Sequence, residues 1–316
     1  MQEFHQLVNA ILAIAMIYVI AMVLKYKKIL KEEHSLTLAR IVTDVFLPAI
    51  VFVSLAKQTL HPNQVEPALA MLGLELLFIA LAWLLSSMLK FSRAQQGAIV
   101  FCSAFGSSTF LGYSIVLQVF PDNPEALSEA VLISEIGVGY PIFILGPILA
   151  AYFGSRKLKK SDWKASFCFF RSPVFFALIA GLLWSILKIP GEENIYIAPI
   201  FRLGSVLSAA LTPLAILSVG LMFKKPGFRT MVIPLGIVIL LKLILKPLLA
   251  SQLASWFGFP ELWKEILVLM AAMPSAVLGV VFLRRYGGDA SLASALLLVT
   301  TLVSSITLLG VFWLFR

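Results

Sequence analysis

Few residues in this chain are of types that could do chemistry, and most of them sit inside apolar sequence. Two polar interruptions come first. The segments Ser103-Ala104-Phe105-Gly106-Ser107-Ser108-Thr109-Phe110-Leu111-Gly112 and Ala271-Ala272-Met273-Pro274-Ser275-Ala276-Val277-Leu278-Gly279 put hydroxyl, Gly and Pro residues in the middle of long apolar runs. Pro274 removes a backbone donor and obstructs the turn before it. Ser107, Ser108 and Thr109 beside Gly106 offer side-chain bonds that compete with the helix. Interrupted backbone at membrane depth is tolerated only inside protein or beside water, and interruptions at matching places in two halves of a chain point to a transport site. The alternative is close helix packing or a plain kink. Each break would expose the start of a following half-helix, with unpaired backbone donors and a partial positive charge. Hydroxyls there suit a carboxylate. Ser107, Ser108, Thr109, Pro274 and Ser275 are therefore expected to hold an anionic substrate, with Gly106, Gly112 and Gly279 as hinges of the broken helices.

Six ionisable residues fall within apolar runs: Arg40, Asp44, Glu75, Glu135, Lys242 and Lys246. Each is expensive in a bilayer unless paired or hydrated, and so each is a functional candidate. Arg40 and Asp44 are four apart and could pair along one helix. Lys242 and Lys246 share a face, repel each other, and need an anion: Glu75, Glu135 or the substrate. Glu135 could exchange a proton if it lies away from cations, or form a fixed ion pair beside one of the lysines. No Gly-rich phosphate loop, Ser-His-Asp set or paired catalytic carboxylate is present, so ATP-driven transport within this chain is excluded and no enzyme activity is expected. Two cysteines, Cys102 and Cys168, in apolar runs and three scattered histidines suggest neither a disulfide framework nor a metal site. No cofactor is expected.

The elements that must position these residues follow from composition. Of 316 residues, 60% are hydrophobic and 13% charged, about half the charge of an ordinary soluble domain. Such a chain could not cover a soluble surface, so a soluble enzyme, a disordered protein and a nucleic-acid binder are excluded. Ten runs are long enough to cross a bilayer, near residues 5–24, 36–57, 67–89, 94–119, 127–153, 167–188, 196–222, 231–256, 262–283 and 290–315. The first lacks a basic n-region and a cleavage site, which favours a span over a signal peptide. The odd-numbered connections carry 17 Lys and Arg, the even-numbered ones 4. By the positive-inside rule the odd loops are cytoplasmic and both termini are outside, which also accounts for the net charge of +9.

Two halves of five helices would run in opposite directions, as in many secondary transporters. Pro48 and Pro213, Leu111-Gly112 and Leu278-Gly279, and Ser134-Glu135 and Thr300-Thr301 recur at offsets of 165 to 167. The expected organisation is a first repeat over 1–154, a basic cytoplasmic linker over 155–166 and an inverted second repeat over 167–316. The fold class is an all-α integral membrane protein of ten transmembrane helices.

Ser107–Ile115, reading Ser-Ser-Thr-Phe-Leu-Gly-Tyr-Ser-Ile, resembles the fourth-helix motif of the auxin efflux carrier family, whose bacterial members usually read Asn-Thr-Gly-Phe-Leu-Gly-Ile-Pro-Leu. Met273-Pro274-Ser275-Ala276 and Arg285-Tyr286-Gly287-Gly288-Asp289 resemble the same family's ninth helix and following loop. The resemblance covers the whole chain. It implies the fold shared with bile-acid sodium symporters, in which broken helices 4 and 9 cross at mid-membrane. Ser107 stands where the family has Asn, and Ser114 where it has Pro, so substrate selection is expected to differ from that of plant auxin exporters. The expected function is a secondary carrier of small organic anions, auxin-like or malate-like carboxylates, working by alternating access in a bacterial inner membrane. A sodium-coupled symporter of the bile-acid type is the alternative within transport; a membrane-embedded sensor or enzyme is the rival outside it. Expected partners are the anion, a coupling proton or sodium ion, and the lipid bilayer, with a homodimer left open.

Overall fold

The computed structural model describes residues 2–58, 61–155, 168–221 and 231–314. The basic linker expected at 155–166 lies outside these residues from 156 onward. Twelve helical stretches follow one another among the described residues. They are α1 (Gln2–Tyr26), α2 (Glu33–Ala56), α3 (Asn63–Met88), α4 (Arg93–Ala104), α5 (Ser108–Val119), α6 (Pro124–Phe153), α7 (Pro173–Ile186), α8 (Ala198–Leu221), α9 (Val232–Phe257), α10 (Glu261–Ala271), α11 (Val277–Tyr286) and α12 (Ala290–Leu314). Seven of them are long and apolar enough to cross a membrane. The regions expected as the fourth and ninth spans are each two short helices, α4 with α5 and α10 with α11. The sixth is represented by the 14-residue α7. No strand occurs among the described residues, only an isolated bridge between Gly106 and Ser275.

Three of the long helices contain a π-turn, and each π-turn ends two residues before a proline. Val42–Phe46 precedes Pro48, Ile133–Gly139 precedes Pro141, and Ile239–Leu245 precedes Pro247. Proline has no N–H for the carbonyl four residues back, and its ring presses on that carbonyl. One extra residue in the preceding turn relieves both effects without ending the helix. A fourth π-turn, Ser108–Gly112, opens α5; the residue two beyond it is Ser114, where the family carries Pro. The sequence placed a charge or hydroxyl of interest in every one of these turns: Asp44, Ser108 with Thr109, Glu135 and Lys242.

The chain divides into two compact units. The first comprises Met1–Gln64, Tyr113–Val131 and Phe170–Phe223. In it α2 packs on α7 and α8 through glycines: added side chains at Gly181 and Gly204 would meet Leu55 and Val53. Phe52, Trp184 and Phe201 close that contact edge to face. Hydroxyls bridge helices where apolar packing leaves carbonyls, as in Ser185 Oγ to Gln58 O at 2.6 Å and Ser128 Oγ to Ser54 O at 2.8 Å.

The second unit comprises Val65–Gly112, Leu132–Phe169 and Lys224–Arg316. Here Gly137 lies against Met71, Gly97 against Phe153 and Gly279 against Phe101, the small-residue contacts that let helices approach in a membrane. α4 starts on a capping box, with Ser92 and Gln95 bonding each other's backbone N–H. α9 and α11 end at Gly258 and Gly287, both left-handed, the usual glycine stop. Every substrate and hinge residue expected from the sequence lies in this unit, as do Glu75, Glu135, Lys242 and Lys246.

Candidate functional site

The two interruptions hydrogen-bond each other. α4 ends at Ala104, after which Phe105 turns extended, and Ala276 is extended before α11 begins. Ser107 N donates to Pro274 O at 2.7 Å and Ala276 N donates to Phe105 O at 2.9 Å. Backbone groups that Gly106 and Pro274 take out of their helices are thus satisfied across the gap, as burial in an apolar medium demands.

Hydroxyls line both breaks. Ser108 Oγ lies 2.8 Å and Thr109 Oγ1 3.0 Å from Ser134 Oγ on α6. On the other side Ser275 Oγ donates to Cys102 O at 2.8 Å and receives the Thr300 hydroxyl of α12 at 3.1 Å. Ser134 and Thr300, matched by spacing in the sequence, each pair with one of the breaks. Ser103 Oγ is buried at the end of α4 with no hydrogen-bond partner. Gly112 and Gly279 lie within helices rather than in the breaks, each where a neighbouring side chain comes close, Met270 and Phe101 respectively.

The charges organise around one carbonyl. Lys246 Nζ donates to Glu75 Oε1 at 2.7 Å and to Ala104 O at 2.7 Å, and lies 5.9 Å from the centre of the Phe78 ring. Lys242 Nζ donates to the same Ala104 O at 3.1 Å. Ala104 closes α4, where orphaned carbonyls and the helix dipole favour cations. The two Nζ atoms reach one oxygen, so they sit within about 6 Å; with both protonated they would repel by about 3 kcal/mol at an effective dielectric near 20. Glu75 and Lys246 are 0% exposed and Lys242 1%. A side chain added at Gly106 would place its Cβ 2.8 Å from Lys242 Nζ. Gly106 is therefore the position that admits the ammonium to the break, a role distinct from hinge flexibility.

Of the anions open to the two lysines, Glu75 pairs with Lys246. Glu135 is buried in its π-turn with Oε2 facing Gly139, and among the described residues it forms no ion pair with either lysine. The expected Arg40–Asp44 pair does not form among the described residues. Both side chains are exposed, and a pair four apart is worth only about 0.2–0.5 kcal/mol, too little to hold two mobile side chains together. A seventh ionisable residue, absent from the six candidates above, lies within an apolar run. Glu129, one turn into α6, is 0% exposed, and neither carboxyl oxygen has a hydrogen-bond partner.

Apolar helices long enough to span a bilayer, two mutually paired helix breaks lined with hydroxyls, and a buried cation at the break together define a multi-pass membrane transport protein. The chain matches the model of the family described as membrane transport protein over residues 6–164 and 155–312. It belongs to that family, which is the auxin efflux carrier family its motifs resemble. It is 28% identical over 302 residues to an uncharacterized transporter of Methanocaldococcus jannaschii, covering 94% of each chain. It is 26% identical over 309 residues, 95% of each chain, to one of Methanothermobacter thermautotrophicus. A protein of Rhizobium meliloti named "Putative malonate transporter" is 23% identical over 275 residues, 85% of this chain and 83% of its own. The protein is a membrane transporter, not an enzyme.

Proposed function

We propose that the protein is a secondary carrier of small organic anions, working by alternating access, with the substrate carboxylate held at the paired breaks. One observation carries this reading. The Lys242 Nζ is buried against Gly106 where α4 is interrupted, and no carboxylate among the described residues lies within ion-pair distance of it. A buried unpaired charge is costly, and an anion arriving at the break would relieve that cost. Ser107, Ser108, Thr109 and Ser275 would add neutral donors, and the starts of α5 and α11 a partial positive charge. The relative named for malonate, a dicarboxylate, is in keeping with this.

The same reading takes the chain as ten crossings in two inverted five-helix repeats, 1–154 and 167–316, with α4–α5 and α10–α11 as the fourth and ninth. The reciprocal bonds between the breaks support a two-fold relation there. The bias of Lys and Arg toward odd-numbered connections supports both termini outside, in a bacterial inner membrane. Sodium symport of the bile-acid type has less support, because the Ala104 carbonyl at the end of the broken helix already accepts from two lysine Nζ groups.

Uptake of radiolabelled malonate, pyruvate and succinate into proteoliposomes tests the proposal. Saturable uptake should occur without sodium and should compete with unlabelled carboxylates. Lys242→Met should weaken binding about tenfold or more, the loss of one charge-assisted hydrogen bond. Carriage of an organic cation but no carboxylate, or unchanged affinity in Lys242→Met, would refute it.

A further inference from the structure

The cluster at the end of α4 holds two lysine Nζ groups and one carboxylate. Lys246 has a full set of partners: Glu75 Oε1, the Ala104 carbonyl and the face of Phe78. Lys242 bonds the shared carbonyl and lies against Lys246, with no carboxylate of its own among the described residues. The end of α4 brings a partial negative charge of about half an elementary charge, so with both lysines protonated the cluster needs a further anion for balance. Among the described residues no carboxylate forms an ion pair with Lys242. Glu75 on α3 and Lys246 on the same helix are the charged groups facing Lys242. The Cys102 thiol of α4 donates to Ala293 O, and α12, which packs against this part of α9, has no ionisable side chain between Ala290 and Leu314. α10 carries Glu261, Lys264 and Glu265 near its start, none in an ion pair with Lys242.

We propose that Lys242 is the coupling residue: an ammonium while an anion occupies the break, and a neutral amine while the site is empty. This rests on the reading of the break as the anion site. The chemistry is a single proton exchange. As the anion enters, the amine takes a proton from hydronium in the water that accompanies it. As the anion leaves, the ammonium returns that proton to water. One proton then crosses with each substrate molecule, set by the carrier and not by the substrate's own charge. Pyruvate would move without net charge, and malonate dianion with one net negative charge. Lys246, held by Glu75, positions Lys242 by sharing Ala104 O.

Two measurements test this. The first needs no substrate: ¹³C and ¹⁵N NMR of lysine-labelled full-length protein in micelles at neutral pH. One side chain should give the amine signature, vanish in Lys242→Met, and convert to the ammonium signature when saturating malonate is added. An ammonium signature for every lysine in the ligand-free protein would overturn the proposal. The second uses wild-type proteoliposomes with a trapped pH dye and a clamped membrane potential. Inward malonate or pyruvate movement should acidify the lumen by one proton equivalent per molecule, and pyruvate uptake should ignore the potential. Uptake that follows the potential and leaves internal pH unchanged would overturn it. Transport by Lys242→Arg, whose charge is permanent, should lose its dependence on the pH gradient and acquire one on potential; retained proton movement in that variant would also refute the proposal. Failure of the anion site itself is distinguishable, because Lys242→Met would then bind malonate as wild type does.

Discussion

Separating the two lysines gives the sharpest check on the geometry. Lys246 is the ion-paired one, so it should carry stability while Lys242 carries binding. Removing one partner of a buried pair costs about 3–5 kcal/mol, whereas replacing both with neutral groups is often close to neutral. The contacts allow the two single changes to be ordered. In Glu75→Gln the ammonium keeps the Ala104 carbonyl at 2.7 Å, the Phe78 face and an amide oxygen, so the low end, about 3 kcal/mol, is expected. In Lys246→Met the Glu75 carboxylate loses its one donor, its second oxygen having none already, so the high end, about 5 kcal/mol, is expected. The double variant should be more stable than either single one. Thermal unfolding of purified protein in micelles, followed by intrinsic tryptophan fluorescence, would read these as falls in melting temperature on the order of 10 °C for the singles. Singles costing less than about 1 kcal/mol, the range of an exposed pair, or a double variant equal to the sum of the singles, would show that no buried pair exists.

Three further outcomes are expected. Gly106→Ala should fold, because the atoms met by the new Cβ are the far end of the Lys242 side chain. It should nevertheless weaken malonate binding about tenfold, or about 1.4 kcal/mol, measured by equilibrium binding; unchanged affinity would remove Lys242 from the break. Ser275→Ala should destabilise more than Ser108→Ala, because Ser275 Oγ makes two hydrogen bonds, to Cys102 O and Thr300, at about 0.5–1.5 kcal/mol each, while Ser108 Oγ makes one; the reverse order in denaturation would contradict the pairing. Single cysteines at Ser155 and Asn123, in a background lacking Cys102 and Cys168, should react with an impermeant thiol reagent from opposite sides of the membrane. Labelling of both from one side would refute the ten-crossing topology.

Apolar runs, the places where they are interrupted and the asymmetry of basic residues are local properties, and they could be read directly from the chain. So could the family, because its motifs lie in the interruptions themselves. Pairing across elements could not. By charge alone Glu75 could pair with Lys242 or with Lys246, and the chain does not choose between them. Gly106 and Ser275 lie close enough to bridge; Glu75 meets Lys246, because contact between α3 and α9 is set by how the helices pack. The roles of Ala104 and Cys102 were invisible for a simpler reason: their backbone carbonyls, not their side chains, receive the lysines and Ser275. Every residue carries such a carbonyl, and only the end of α4 leaves these free to accept. The prolines at 48, 141 and 247 were legible as residues, but the π-turns before them were not. A proline within a helix can be met by a kink, a break or an added residue, and the neighbouring helices decide which.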